Sequence, residues 1–406
     1  MKRAFTICLA ALFLAAATRS TSANGYTVDT TIPSAGGCPQ PDRQNLTLAS
    51  PLSPRWSTAL PTAQPILTVA AEGSSAQITE IGQLISQSFG VWSGVTGTTL
   101  NASAYPGVVA PLATVSVQNA CTNDAETNID GLDTICFNQS STAFTSGVLA
   151  FTRVITANAP GASVGSSAPA AFAGQILDAD TLFCDTGLAT FATPGALSTP
   201  QGKGAYDLES LLVHEIGHWF GLDHSAVWQA IMFPYAPPPG QFLGQRPTLQ
   251  APDGPLADDD RTGIRLQYPD PNDTLNIGTI RGQILPANSF ALANIPAPSI
   301  GGTVTGIFGA HVVAVNADTG SVIAGTLGGW SCGVTSPYEQ FDGSFAIQRL
   351  PVGHNYILYS EPLDGLVVGS DFIDVLNDIC APGSAPACTT PGVNMNFNPR
   401  ILPTSQ

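Results

Sequence analysis

Residues 214–224 read HEIGHWFGLDH, and they contain three of the five histidines in this 406-residue chain. His214 and His218 are four residues apart, so on a helix both imidazoles leave the same face and can reach one ion. Gly221 favours an end to that helix, after which His224 can supply a third nitrogen from outside it. Three protein ligands leave a fourth position open for water, which is typical of catalytic rather than structural zinc sites. The stretch therefore predicts a catalytic metal site.

Glu215 follows the first histidine and lies about 100° round the predicted helix. In that position it borders the metal without being forced to ligate it, and it can take a proton from a metal-activated water. The alternative is that the histidines coincide within an apolar helix. The pattern H-E-x-x-H-x-x-G-x-x-H fixes five positions, and Asp207 is a plausible N-cap of the helix that carries it. Both observations favour the metal site over coincidence.

The stretch resembles the extended zinc motif of the metzincin metallopeptidases. That clan also has a methionine turn below the metal, and Met232 in the sequence AIMFPY is similar to it. Ser225, directly after the third histidine, is the residue that the matrixins, the matrix-metalloproteinase-like family, carry there. Residues 256–269 (LADDDRTGIRLQYP) resemble the last helix of that family. One acid of such a helix pairs with the N-terminus after activation in the family, and either Asp259 or Asp260 corresponds to it.

The resemblance implies a zinc endopeptidase whose ion is held by His214, His218 and His224. Glu215 would be the general base and then the proton shuttle. Pro234 and Tyr235 would line the pocket that receives the side chain after the scissile bond. Residues 176–182 resemble the edge strand that pairs with an extended peptide substrate.

The chain differs from animal matrixins in the residues that could bind a second metal ion. Animal matrixins bind a second, structural zinc through further histidines, and residues 1–213 contain no histidine. That second zinc site is therefore absent or different in this chain. Calcium is an alternative structural ion because it prefers oxygen ligands, although acids of this kind are also found as solvated loop residues. The candidate calcium ligands are Asp124, Asp130, Asp133, Asp178 and Asp180.

The N-terminus and the overall charge indicate where the protein acts. Lys2 and Arg3 precede an apolar run at 4–17 and then small residues, so residues 1–23 are predicted to be a secretory signal peptide, with an N-terminal anchor as the alternative. The formal net charge of −16 argues against nucleic acid or anionic lipid as a partner. We expect a secreted or extracellular monomer, or a surface-associated one if the anchor remains, with no later membrane span.

The cysteines are consistent with an oxidising compartment. Seven of the eight remain after the signal peptide, and most are expected to pair. The pairs closest in sequence are Cys121 with Cys136 and Cys380 with Cys388. Residues 24–54 are interpreted as a pro-segment or an extended arm. Cys38 within them is either a disulfide partner or, by resemblance to the family's zymogens, a thiol that occupies the open zinc position.

The predicted fold class is an α+β metzincin-like catalytic domain followed by an all-β sandwich domain. The catalytic domain, residues 55–269, is expected to combine a mixed twisted sheet with about three helices, at 76–92, 207–220 and 256–268. Residues 270–276 form the linker. Residues 277–400 form the accessory sandwich, with strands expected at 277–285, 301–308, 310–327, 343–350 and 355–363.

The predicted sandwich resembles the carboxypeptidase regulatory-like, transthyretin-like domains. The resemblance rests on IRGQI (280–284), GAHVVAV (309–315) and DGSFAI (342–347). Such domains are accessory. His311 and His354 are isolated in strand-like surroundings, so they are predicted to be structural or surface residues rather than metal ligands.

Two functional hypotheses follow from these patterns. The first is a secreted endopeptidase that hydrolyses peptide bonds in a protein or peptide substrate with a Glu-assisted, zinc-activated water. The alternative is a surface adhesion or binding protein that works through the sandwich and has a weak or inactive peptidase-like domain. Glu215 favours the first hypothesis, because an inactive copy has no chemical need for it.

Overall fold

The structure is a computed structural model of the whole chain. It describes residues 26–28, 56, 67–70, 75–100, 133–139, 144, 147–156, 175–184, 189–225, 227–228, 230–245, 254–273, 276–286, 303–304, 306–307, 310–327, 340–341, 343–362 and 400–403.

The part of the chain up to residue 268 contains both helices and strands. The strands are β1 (Tyr26–Val28), β2 (Leu67–Ala70), β3 (Asp133–Gln139), β4 (Ala150–Thr156), β5 (Ile176–Cys184), β6 (Phe191–Ala192), β7 (Tyr206–Asp207) and β8 (Leu222–Ser225). The α-helices are α1 (Ser75–Ser93), α2 (Pro194–Leu197), α3 (Leu208–Trp219) and α4 (Asp258–Gln267). Three of these are the predicted helices, and the four-residue α2 is additional.

A four-stranded mixed sheet in the order β2-β3-β5-β4 lies beside the helices. β2, β3 and β5 are parallel, whereas β4 runs antiparallel to β5. The prediction that residues 176–182 form the edge strand is wrong, because β5 has a neighbour on each side. Its burial is nearly continuous, as expected for an interior strand. Within the described residues, β4 is the edge strand on that side of the sheet.

Helix α3 is the central element of this part of the structure. Asp207 caps its N-terminus by accepting a hydrogen bond from the Ser210 N–H at 2.9 Å, as predicted. Gly221 follows the last turn with a φ of +86°, a left-handed conformation that favours glycine. Nearly every residue of α3 is buried, because α1 packs on one side and β4 on another.

Aromatic side chains fix α3 against its neighbours. Trp92 of α1 donates its indole N–H to the Val213 carbonyl at 2.8 Å. Trp56 stacks on Trp219 with ring centroids 4.4 Å apart and donates to its carbonyl at 2.9 Å. The Tyr268 hydroxyl, just after α4, donates to the Phe220 carbonyl at 2.9 Å. These hydrogen bonds satisfy polar groups within an apolar core and so fix the middle and the C-terminal end of α3.

Beyond residue 276, the described residues form strands and connecting turns. The strands are β9 (Ile277–Gln283), β10 (Thr303–Val304), β11 (Ala310–Asn316), β12 (Val322–Leu327), β13 (Gln340–Phe341), β14 (Ser344–Pro351), β15 (Tyr356–Pro362) and β16 (Arg400–Pro403). They pair as a four-stranded sheet in the order β12-β11-β15-β16, as β14 with β9, and as β10 with β13. The predicted strands overlap β9, β10, β11, β12, β14 and β15, whereas β13 and β16 were not predicted. The closed sandwich and the domain boundaries stay predictions.

Contacts of helix α4 and of strand β1 with β12 link this C-terminal β-region to the part before it. Helix α4 packs against both β12 and β14. Strand β1, from the segment interpreted as an arm, pairs antiparallel with β8, so that Tyr26 lies opposite Ser225 and Val28 opposite Leu222. Helix α4 therefore packs on strands from both parts of the chain, β1 and β8 from the first and β12 and β14 from the second.

Several predictions fall on other parts of the chain. The signal peptide, Cys38, Cys121, Cys380 and Cys388 lie outside the described residues, so the predicted disulfides and the zymogen thiol stay predictions. Within the described parts of the chain, no helix is long and apolar enough to span a membrane.

We predict that Gly217→Ala in α3 destabilises the protein by about 1–3 kcal/mol, as overpacking of a core does. An added Cβ would overlap the Met232 sulfur and lie 2.8 Å from the Trp92 ring. Urea unfolding followed by tryptophan fluorescence measures the change. Gly90→Ala in α1 is the matched control, because an added Cβ there meets nothing within 4 Å. Equal stability of the two variants would contradict the close packing of α3 on Met232.

Candidate metal centre

Three histidines converge at the C-terminal end of α3. His214 and His218 lie on successive turns of the helix, and His224 comes from β8 after the turn at Gly221. One ring nitrogen from each lies within 4.8 Å of the other two. Among the described residues, it is the one group of three or more His, Cys, Asp or Glu side chains close enough together to hold a metal ion. The predicted ligand set is therefore brought together in space.

Backbone carbonyls orient two of the imidazoles. His214 donates its Nδ1–H to the Ile231 carbonyl at 2.6 Å, and His218 donates its Nδ1–H to the Leu222 carbonyl at 2.7 Å. The Nε2 atoms of the two rings then lie 3.2 Å apart. A protonated Nδ1 leaves the lone pair on Nε2, so both lone pairs are available for a shared ion.

The predicted methionine turn packs against the helix that carries two of these rings. Met232 is fully buried, and its sulfur packs against Gly217 of α3. The Asp260 carboxylate accepts hydrogen bonds from the backbone N–H groups of Ile231 at 2.8 Å and Met232 at 3.1 Å. It also accepts from the Ala257 N–H at 2.7 Å, at the start of α4. Asp260 thus holds the turn whose Ile231 carbonyl orients His214.

The remaining acid of this pair, Asp259, contacts the strand that carries His224. Ser225 donates its hydroxyl to Asp259 at 2.5 Å, and the Gly325 N–H donates to the other carboxylate oxygen at 2.9 Å. Burial raises the pKa of Asp259 to about 7 and that of Asp260 to about 6. The sequence left open whether Asp259 or Asp260 pairs with an N-terminus. In this structure Asp259 accepts hydrogen bonds from Ser225 and Gly325. Asp260 accepts them from backbone N–H groups of the Met232 turn and the start of α4.

Burial also affects the protonation of the three histidines. It lowers the pKa of His214 well below the ordinary histidine value, and the neighbouring His218 and His224 lower it further. Burial likewise lowers the pKa of His218 and of His224. Neutral imidazole is the form that ligates a metal, so burial favours the ligating state of all three side chains.

Glu215 follows His214 in α3 and is fully buried. Burial raises the pKa of its carboxyl to about 8, and a hydrogen bond from Thr152 lowers it in part. The Thr152 hydroxyl lies 2.8 Å from Glu215 Oε2 and 2.8 Å from the Thr181 hydroxyl of β5. Oε1 of Glu215 makes no hydrogen bond to a protein group among the described residues. One carboxylate oxygen is thus held by β4, and the other remains available for a proton.

The donor set fits a zinc ion. Three neutral imidazole nitrogens are ligands that zinc accepts, and three ligands from protein leave an open coordination position in a tetrahedral site. The unsatisfied Oε1 of buried Glu215 is a further sign of a site completed by a non-protein group, because buried polar atoms normally have partners.

Of the predicted calcium ligands, only Asp178 and Asp180 have side chains that the structure describes. Asp124 and Asp130 lie outside the described residues, and only the backbone of Asp133 is described. Asp180 accepts hydrogen bonds from the Thr134 N–H at 3.0 Å and the Thr134 hydroxyl at 2.6 Å, and it pairs with Arg153 at 3.4 Å. Asp178 is buried in the same strand. Asp180 therefore has an internal structural role, and calcium binding stays a prediction.

The predicted pocket residues follow the methionine turn. Pro234 is buried and Tyr235 is half-buried. The Tyr235 ring contacts Phe233 with centroids 5.7 Å apart, and Phe233 in turn contacts the exposed Trp228 at 5.0 Å. This row of aromatic rings places Tyr235 at a boundary between core and surface, which is compatible with a pocket wall.

Sequence reasoning did not identify Thr152 or the different contacts of Asp259 and Asp260. Thr152 is a polar residue within the apolar run GVLAFTRVITA, which is a weak signal for an inward-facing hydroxyl. Nothing local indicates its partner, because Glu215 is 63 residues away. The run of three acids obscured the register of α4, and only the hydrogen bonds distinguish its members.

Comparison with known proteins agrees with this geometry. The family model described as Matrixin matches residues 67–268. A relative described as "Metalloendoproteinase 1", from Glycine max, is 45% identical over 74 residues, which are 18% of this chain and 21% of that protein. The chain thus spans about a fifth of the length of this curated relative. The family match contains α3, β8, the methionine turn and α4, so residues 67–268 of this chain form a peptidase domain that belongs to the matrixin family.

Proposed function

We propose that this protein is a secreted zinc-dependent endopeptidase that hydrolyses peptide bonds in protein or peptide substrates. The observation that carries the proposal is the convergence of three neutral imidazole nitrogens beside the buried carboxylate of Glu215. The matrixin match and the metalloendoproteinase relative support the same activity. Secretion rests on the predicted signal peptide at residues 1–23.

His214, His218 and His224 would hold the zinc, with Met232 packed below them. When bound, zinc polarises the substrate carbonyl and lowers the pKa of a water molecule. Glu215 accepts the proton of the attacking water on Oε1 and passes it to the leaving amine. The Thr152 hydroxyl holds Oε2, so the carboxylate keeps one orientation through both proton transfers.

Substrate alignment is assigned to β4, which replaces the strand predicted from the sequence. β4 is the outer strand of the mixed sheet within the described residues, and an extended peptide can pair with its free edge. Thr152 lies in the middle of β4, and its side chain reaches Glu215. A peptide paired with this strand would therefore pass close to the general base. Pro234 and Tyr235 would form the wall of the pocket for the side chain after the scissile bond.

We predict that Glu215→Gln lowers kcat by about 10²–10⁴-fold, the usual contribution of general acid–base catalysis. The amide keeps the shape of the side chain but cannot accept the proton. Hydrolysis of a quenched fluorescent peptide library by the full chain measures activity, and elemental analysis measures zinc. The variant is expected to retain one zinc per chain.

Glu209→Gln in the first turn of the same helix is the matched control and is expected to keep wild-type activity. Activity that survives both Glu215→Gln and treatment with a chelator would refute the mechanism. Stoichiometric zinc without hydrolysis in the wild type would favour the alternative, in which the protein binds partners through its C-terminal β-region.

We also predict that Thr152→Val lowers kcat about tenfold, equivalent to about 1.4 kcal/mol of the barrier, and leaves KM unchanged. Valine has the shape of threonine but lacks the hydroxyl that holds Glu215 Oε2. Steady-state kinetics with one peptide substrate separate the two constants. Thr152→Ser restores a hydroxyl and is expected to restore kcat. Equal loss of activity in the valine and serine variants would contradict a positioning role for the hydroxyl.

A further inference from the structure

The C-terminal β-region reaches the strand that carries His224. Strand β12 packs on α4, and its Gly325 N–H donates to Asp259 Oδ1 at 2.9 Å. Asp259 is fully buried, although it belongs to the first turn of α4. A backbone group from one part of the chain thus satisfies a buried carboxylate in the peptidase domain.

The same carboxylate holds the residue after the third histidine. Asp259 Oδ2 accepts the Ser225 hydroxyl at 2.5 Å, and that hydroxyl accepts the Val227 N–H at 3.0 Å. Ser225 also donates its own N–H to the Met232 carbonyl at 2.8 Å. Hydrogen bonds of its side chain and of its backbone therefore fix Ser225. Because His224 is the preceding residue, they also restrict where His224 can lie.

Close packing requires a glycine at position 325. A Cβ added there would overlap His311 Nε2 and lie 3.2 Å from Val227 Cγ2. His311 is itself buried in β11 and contacts Glu361 at 3.2 Å. A side chain at position 325 would therefore push β12 away from the chain that follows His224.

We propose that Gly325 and Asp259 are positioning residues of the metal centre. In this arrangement the C-terminal β-region holds Ser225 through Asp259, and so helps to fix His224 against the ion. The C-terminal β-region is then a structural part of the metal centre rather than an independent accessory. This inference rests on the proposed function only in requiring that the three histidines bind zinc.

The test is the rate at which zinc leaves the full-length protein. Zinc transfer from the loaded protein to an excess of a chromogenic chelator is followed for the wild type and for Gly325→Ala. The added methyl group should separate β12 from the Asp259 carboxylate, and zinc release is expected to become about tenfold faster. A loss of hydrogen bonds to a buried carboxylate is large enough for this change.

Gly278→Ala in β9 is the matched control. Its added Cβ would lie 3.6 Å from Val352, an ordinary contact, so zinc release should match the wild type. Release from Gly325→Ala at the wild-type rate would overturn the proposal. A wild type that binds no zinc would refute the proposed function instead, so the two failures are distinguishable.

A double-mutant cycle separates this chain of hydrogen bonds from a general loss of stability. Ser225→Ala removes the hydroxyl through which Asp259 is expected to act. If the proposal is correct, Gly325→Ala adds little to zinc release in the Ser225→Ala background. Fully additive effects would show that β12 does not act through Ser225 and would overturn the proposal.

Asp259→Asn is a second variant for the case in which Gly325→Ala does not fold. The asparagine keeps the size of the side chain and one oxygen for the Gly325 N–H, but it replaces the acceptor of the Ser225 hydroxyl with an amide. Zinc release is again expected to be faster than in the wild type. Unchanged release from a folded Asp259→Asn variant would overturn the proposal.

Discussion

Two hydrogen bonds from imidazoles to backbone carbonyls determine the geometry of the candidate metal centre. His214 donates to the Ile231 carbonyl and His218 to the Leu222 carbonyl, so the Nε2 atoms of both rings turn toward one point. Helix α3 supplies the spacing of the two rings, but the carbonyls supply their rotation. Since Leu222 begins β8 and Ile231 precedes Met232, the site requires the helix, the strand and the methionine turn to be correctly placed at the same time.

Buried acids maintain that placement. The Asp260 carboxylate accepts three backbone N–H groups around the methionine turn and the start of α4, and Asp259 accepts one hydroxyl and one N–H near His224. Their ionised forms are costly to bury, as their raised pKa values indicate. Hydrogen bonds to these carboxylates offset part of that cost and join α4 to both sides of the histidine cluster. The acids of α4 are thus structural supports of the metal centre.

The parts of the site that are local in sequence could be predicted from it. The spacing of His214 and His218, the cap at Asp207 and the stop at Gly221 all lie within one helix and its ends, and α3 begins and ends within a residue of the prediction. The edge strand was predicted wrongly, as β5 instead of β4. The pattern of apolar residues in a strand indicates how buried it is, but it does not indicate which strands lie beside it in the sheet. Thr152 was missed for a related reason, since a hydroxyl in an apolar strand does not identify a partner 63 residues later.

The relation between the two parts of the chain also depends on contacts distant in sequence. Asp259 and Gly325 are separated by 66 residues, and no motif links them. A β-domain that follows a linker suggests an independent accessory, because such a domain can form its own core. Helix α4 contradicts independence in this protein, since it packs against β12 and β14 and its Asp259 carboxylate binds groups from both regions. Gly325 has no space for a methyl group at that junction, because the side chains of His311 and Val227 pack closely against it. Such close packing restricts movement of the chain next to His224.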